Sequence, residues 1–434
     1  MFGFSKAQQF AFLVMLALIV ICPFVLYPVF LMRVLCMALF ACAFNLMIGY
    51  VGLLSFGHAA FFGMGAYIAA WTMKFWHVDA AVAIILGGAT GAVLGLCLGY
   101  LAIRRSGIYF AMITLALAQM VYFFCLEAPF TGGEDGIQQV PRGHLFGFID
   151  LSNDMTMYWV VAAVFVGGFL LIHRIIHSPF GQVLKGIREN EPRATSLGYR
   201  TDDYKLIAFV LSCALSALAG GTKALVFGIA TLTDVHYSTS GEVVLTTLLG
   251  GLGTVFGPTV GALVVTGMEN YLAQAGAWVT VIQGAIFMAC VLVLRRGLVG
   301  EIAAGGALPL ICLRMVLAPL LVMIAIAFQF VTIAQPFWSD PVSAIAVLAA
   351  GAYAIVMVYA GLRLSEGQPG STTLATILLA VDVLFSVAAL IFAIHASQGT
   401  PALAFATGAV IDVLSISYLY WRHPSPLRTA AFQT

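Results

Sequence analysis

The stretch KGIRENEPRATSLGYRTDDYK, residues 185–205, carries nine charged side chains: Lys185, Arg188, Glu189, Glu191, Arg193, Arg200, Asp202, Asp203 and Lys205. The whole 434-residue chain has only 19 Lys and Arg and 18 Asp and Glu. Long apolar runs flank the patch on both sides. Charged residues make up 9% of the chain and apolar ones 62%, against about 25% charged in a soluble domain. Such a chain cannot cover a water-facing surface, so it reads as an all-α integral membrane protein. The charged patch is then a loop between spans. The short alternating segments of a membrane barrel are absent.

Runs of roughly 17–25 apolar residues are the unit that crosses a bilayer. They fall near 9–31, 33–51, 57–75, 80–103, 108–127, 157–175 and 205–227, then less regularly through 242–295. A second set lies near 308–331, 341–362, 372–395 and 401–421. The first run lacks a small-residue cleavage site and reads as a retained span. Lys6, Arg104, Arg105, Arg174, the charged patch, Arg295, Arg296, Arg363, Arg422 and Arg428 mark the cytoplasmic side, with both termini on it. The loop 127–156 carries Glu127, Glu134, Asp135, Asp150 and Asp154 against Arg142 alone, and belongs outside. Arg33 breaks the pattern and reads as snorkelling at the outer interface.

Segment 205–227 leaves the cytoplasm and Arg295–Arg296 return to it, so an odd number of crossings fills 242–295. Three fit: 242–253, 257–273 and 278–294. GGLGTVFGP, 250–258, interrupts them with glycine and proline. Short broken helices at membrane depth face protein or a water-filled path; small residues there also serve close helix packing. The count is about 10 spans to residue 296 and about 4 more beyond. GLVGEIAAGGALP, 297–309, reads as a linker. The chain thus divides into 1–300 and a four-helix extension, 301–434.

GYVGLLSFGHAAFFGMGAYIAAW, 49–71, spaces five glycines around Ser55 and His58. It fits either tight packing or a chain break whose polar side chains line an interior. Thr114 and Gln119 lie within the 108–127 span, where polar side chains face a bundle interior. Thr246 and Thr247 adjoin the glycine-broken region. These six are the candidate translocation-path residues. His58 has no companion carboxylate or histidine at informative spacing, which argues against a proton relay or metal site. TGGEDG, 131–136, lacks the spacing and lysine of a phosphate-binding loop. The eight cysteines are scattered singly, without metal-ligand spacing. No basic stripe points to nucleic acid, and no nucleophile–base arrangement points to an enzyme or a cofactor. Glu269 reads as interfacial. Asp382 and Asp412 are isolated intramembrane acids, each costing roughly 2.5–3.5 kcal/mol on insertion scales.

Within the opening stretch, Pro192 suits the first turn of a short helix and Gly198 its end. Ala194 and Leu197, three apart, share a face, flanked by Arg188, Glu189 and Arg193. A short helix with a small apolar face and charged rims is shaped to enter a groove on a partner protein.

Residues 1–300 resemble the LivM-type permease subunit of branched-chain amino acid ABC importers. Four ordered blocks carry the resemblance: GYVGLLSFGHAAFFGMGAYIAA; GIYFAMITLALAQM with TGGEDG; SPFGQVLKGIRENEPRATSLGY; and GEVVLTTLLGGLGTVFGPTVGA. It implies an ABC importer permease fold with a coupling helix at Arg188–Tyr199. Glu191, Ala194 and Gly198 are the positions matching the EAA motif, with Arg188, Glu189, Arg193, Leu197 and Tyr199 beside them. Pro192–Arg193 stand where a strict motif has its second alanine.

The resemblance further implies a multi-pass protein of the bacterial inner membrane, embedded in lipid. Its partners would be a LivH-like permease, LivG/LivF-like ATPases holding ATP and Mg, and a periplasmic substrate-binding protein. A small-molecule substrate would cross by alternating access. Urea, amide and aromatic-acid systems share the family. From the residues alone, an ion-gradient secondary transporter and a non-transporting scaffold are the rival classes. Residues 301–434 have no counterpart in that family's pattern.

Overall fold

The computed structural model describes residues 6–24, 26–145, 149–272 and 297–303, with isolated positions between 283 and 379. The chain divides into two compact units, one of Met1–Tyr271 with Gly297–Gly300, the other of Leu272–Arg296 with Glu301–Thr434. The expected spans at 278–294, 308–331, 341–362, 372–395 and 401–421, with Asp382 and Asp412, lie outside the described residues.

Helix α1 (Lys6–Ile21) ends in a 3-10 turn at Cys22–Phe24, and α2 (Pro28–Asn45) continues as a π-helix over Leu46–Val51. The sequence pattern predicts one span over 9–31; the chain instead breaks there, because Pro23 and Pro28 lack the N–H that a continuous helix needs. Then follow α3 (His58–Phe75), α4 (Ala80–Ala102), α5 (Ile108–Glu127), α6 (Asp154–Ile176), α7 (Pro179–Glu189) and α8 (Glu191–Ser196). After these come α9 (Thr201–Phe227), α10 (Leu232–Val235), α11 (Tyr237–Gly250) and α12 (Gly257–Leu272). Among the described residues, five helices are long and apolar enough to cross a membrane: Pro28–Val51, α4, α5, α6 and α9. Gly297–Ala303 is helical, in contrast to the linker that its small residues predict.

Helix α2 is the spine. It packs against α6, α9 and α11, and it is the most buried of the five spans. Phe40 stacks on Phe62 of α3 at 4.5 Å between centroids. Helices α3, α4 and α9 form one layer beside the spine. Lipid supplies no hydrophobic force between helices, so close approach through small residues does that work. A Cβ at Gly220 would overlap the Phe62 carbonyl oxygen, and one at Gly65 would overlap that of Ala217.

At one end of the bundle a long connection joins α5 to α6. It contains β1 (His144–Leu145) paired antiparallel with β2 (Ile149–Asp150), in the register His144↔Asp150. Ile137 bridges Ala230, just beyond α9, with both N–H···O distances 2.9 Å. Arg142 pairs with Asp154 at 2.5 Å and donates to the Val226 carbonyl at 3.1 Å. The loop is therefore fastened to the end of α9. The opposite end carries α7 and α8.

The packing generates a paired test. Gly220→Leu places a side chain against backbone and is expected to destabilise by about 1–3 kcal/mol or more. Gly167→Ala, where a Cβ meets nothing within 4 Å, should leave the thermal midpoint in detergent unchanged or slightly raised.

Candidate functional site

The charged patch folds into a platform of two short helices. Ser178 caps α7 by accepting from Gly181 N–H at 3.3 Å, and Pro179 opens the helix. Gly181, Leu184 and Ile187 face inward. Asn190 then stops α7 and caps α8 by accepting from Arg193 N–H at 3.0 Å. Gly198, at φ +88°, ends α8. Its N–H donates to Thr195 O and that of Tyr199 to Ala194 O, the paired bonds of a Schellman ending. The short helix that Pro192 and Gly198 predict is α8, while the Arg188–Tyr199 coupling helix that the resemblance implies is divided between α7 and α8 by a break at Asn190.

Those side chains divide into two groups. Glu189, Arg193, Ala194, Leu197 and Tyr199 line a groove of about 390 Å³ together with Gln182, Val183, Gly186 and Asn190. Ala194 is its buried floor; Leu197, 71% exposed, is its rim. Glu191 and Arg188 point the other way. Glu191 forms an ion pair with Lys205 and accepts from Thr201 Oγ1 at 3.4 Å. Lys205 is only 4% exposed, so this pair fixes α8 to the first turn of α9. Arg188 does not flank the groove, contrary to expectation. It donates to the Gly49 carbonyl in the π-helical end of α2.

Arg188 meets both backbone breaks of the bundle. Its Cγ lies 3.0 Å from where a Gly52 Cβ would stand, and its Nη1 lies 3.1 Å from the same point on Gly253. Both glycines have positive φ, +84° and +72°, a conformation that side chains resist. Asn45 clamps the second break from within α2: its Nδ2 donates to Thr254 O at 2.9 Å, and its Oδ1 accepts from Gly253 N–H at 3.0 Å.

Five of the six expected path residues are buried in the packed interior. Ser55 accepts from Gly57 N–H at 3.2 Å. Thr114 Oγ1 accepts from Phe56 N–H at 3.2 Å and donates to Ala111 O at 2.9 Å. Ser212 gives its hydroxyl proton to Ala43 O at 2.6 Å, so His58 Nε2, 2.9 Å away, is the donor to Ser212. Phe44, Phe61 and Phe209 meet the His58 ring edge-on. Thr246 and Thr247 bond back to Glu242 O and Val243 O of their own helix. Gln119 is half-buried on α5. Ser55, His58, Thr114, Thr246 and Thr247 are all buried.

Sequence reasoning missed the ion pairs between helices. Arg33 of α2 pairs with Glu269 of α12 at 2.9 Å. Lys223 of α9 pairs with Asp234 of α10. The unmatched base in a span was visible; its partner, 236 residues away, was not.

A bundle whose described residues include five helices long and apolar enough to cross a membrane defines a multi-pass membrane protein. Comparison with known proteins agrees. Residues 28–291 match the family model "Branched-chain amino acid transport system / permease component", and the chain belongs to that family. It is 28% identical over 242 residues to the high-affinity branched-chain amino acid transport system permease protein LivM of Escherichia coli, covering 50% of this chain and 57% of that one. It is 22% identical over 285 residues to LivH of the same organism, covering 61% and 91%. The ribose import permease RbsC of Bacillus subtilis is 28% identical over 244 residues, covering 50% and 69%. The chain thus spans little more than half the length of its LivM relative. No solved structure matches the chain.

Glu191→Ala strands a buried lysine and should cost about 1–3 kcal/mol of stability. Adding Lys205→Met should recover most of it. Thermal unfolding of the three proteins in detergent checks both halves.

Proposed function

We propose that this chain is one of two permease subunits of an ATP-driven importer of branched-chain amino acids. It sits in the bacterial inner membrane, the α7–α8 platform in the cytoplasm and the 128–153 loop outside. Arg104, Arg105, Arg174, Lys185, Arg188, Arg193 and Arg200 at or near the platform end support that orientation. The observation that carries the reading is an exposed groove whose supporting helix is fastened, through Arg188, to the carbonyl at one backbone break and to the turn at the other.

A permease without a nucleotide site takes its work from outside. An ATPase seated in the groove and pushing on α8 moves α7 with it, because Asn190 alone separates them. Arg188 then carries the displacement to Gly49 and Gly253. The glycine breaks let α2 and the α11–α12 hairpin shift there without straining whole helices. A LivH-like second permease, LivG/LivF-like ATPases holding ATP and Mg, and a periplasmic substrate-binding protein complete the machine. A gradient-driven carrier needs no such docking groove.

Reconstitution with these partners tests the reading. Leu197→Asp or Arg193→Glu, at the groove rim, should abolish co-purification of the ATPases and lower ATP-driven L-leucine uptake at least tenfold, with the chain still inserted and folded. Full uptake and normal co-purification in both variants would contradict it.

A further inference from the structure

Helix α6 has two different faces. Tyr158, Val161, Phe165, Phe169 and Ile172 are buried in the core. On the other side, Thr156, Trp159, Ala163, Gly167 and Leu171 recur at three- and four-residue spacing, one stripe of a helix. They line a groove of about 670 Å³. Ile85 of α4, Leu218 of α9 and Leu145 of β1 help complete the lining. A Cβ at Gly167 would meet nothing within 4 Å. Helix α6 packs chiefly on α2, and the groove lies between α6 and the α4–α9 pair.

Size, polarity and surroundings choose the occupant. The groove follows α6 from Thr156 to Leu171, roughly 22 Å of helix. A helix is about 10 Å across with its side chains, so one of that length fills roughly 1,700 Å³. That is more than twice the space, whereas a single hydrocarbon chain is narrow enough. The polar atoms of the lining side chains are the Thr156 hydroxyl and the Trp159 indole N–H, both in the first two turns of α6. A groove polar at one end and apolar along its length has the polarity of a phospholipid, and Trp favours the level of the headgroups. Ile85, Trp159 and Leu171 are also exposed, so the groove is continuous with the apolar outer surface of the spans. At that depth the solvent is hydrocarbon, and an unfilled groove forfeits dispersion contacts along its walls.

We infer that this groove holds one acyl chain of a membrane phospholipid. The ester group lies at Thr156 and Trp159, and the chain runs past Ala163 and Gly167 toward Leu171. The lipid fills the gap between α6 and the α4–α9 pair. The importer reading serves only to name the leaflet, which is the outer one in the proposed orientation.

Native mass spectrometry of the full chain, washed in mild detergent, tests the site. Wild type should keep one phospholipid per chain. Gly167→Phe, which fills the groove, should keep at least fivefold less, and so should Ala163→Leu. Ala116→Phe, on the exposed face of α5, should keep the wild-type amount. Wild type without bound phospholipid, or equal retention in wild type, Gly167→Phe and Ala163→Leu, would overturn the site. So would an equal loss in Ala116→Phe, which marks surface lipid only. A phospholipid with a diazirine on its acyl chain gives a readout that needs no variant. It should crosslink wild type within residues 156–171. Crosslinks confined to other segments would overturn the site. So would loss of the 156–171 crosslink in the assembled importer, where a protein segment would then cover the groove. Retention and crosslinking of the chain alone do not involve transport, so failure of the importer reading leaves them to decide the site.

Discussion

The guanidinium of Arg188 on the carbonyl of Gly49 is the contact on which the arrangement depends. A π-helical turn ends α2 there and leaves its last carbonyls poorly matched within the helix. A cation from the neighbouring platform satisfies one of them. The same side chain lies against Gly52 and Gly253, which close the two breaks. Three pieces of chain, far apart in sequence, thus share one charged side chain. Lys185, 5.9 Å over the Tyr50 ring, adds a second and weaker tie between the same helices.

The spine also meets the hairpin formed by α11 and α12. Helix α12 runs antiparallel along α2 and, with the turn that leads into it, touches it at three levels: Asn45 with Gly253 and Thr254 of the turn, then Cys42 Sγ with Thr259 Oγ1 at 3.6 Å and Arg33 with Glu269 of α12. Polar contacts hold both ends and a weak one lies between. Under the proposed mechanism, a shift at the platform end tilts the hairpin as a unit, and its far end bears the Arg33–Glu269 pair.

The sequence made most of the helices legible. Residues 80–103 and 108–127 are bounded by charge, glycine or a polar turn, and their helices end within one residue of those limits. The interval 242–295 yielded its short segments because orientation demanded an odd number of crossings, and α11 and α12 fall on two of them. The break after Ile21 was hidden, since Pro23 and Pro28 sit in an otherwise continuous apolar run. Helix α7 was hidden for the opposite reason. Its charges mask Leu184 and Ile187, although Ser178–Pro179 is a readable helix start. The groove was partly legible through Ala194, Leu197 and Gly198. The inward turn of Arg188 and the Arg33–Glu269 pair were not, because local spacing says nothing about partners more than a hundred residues away.

The central claim is mechanical: α8 is linked through Arg188 to the membrane breaks. The most direct measurement is the number of L-leucine molecules moved per ATP hydrolysed by the reconstituted complex carrying Arg188→Ala. The account predicts that this ratio falls at least tenfold, hydrolysis running without transport. An unchanged ratio in Arg188→Ala would contradict it.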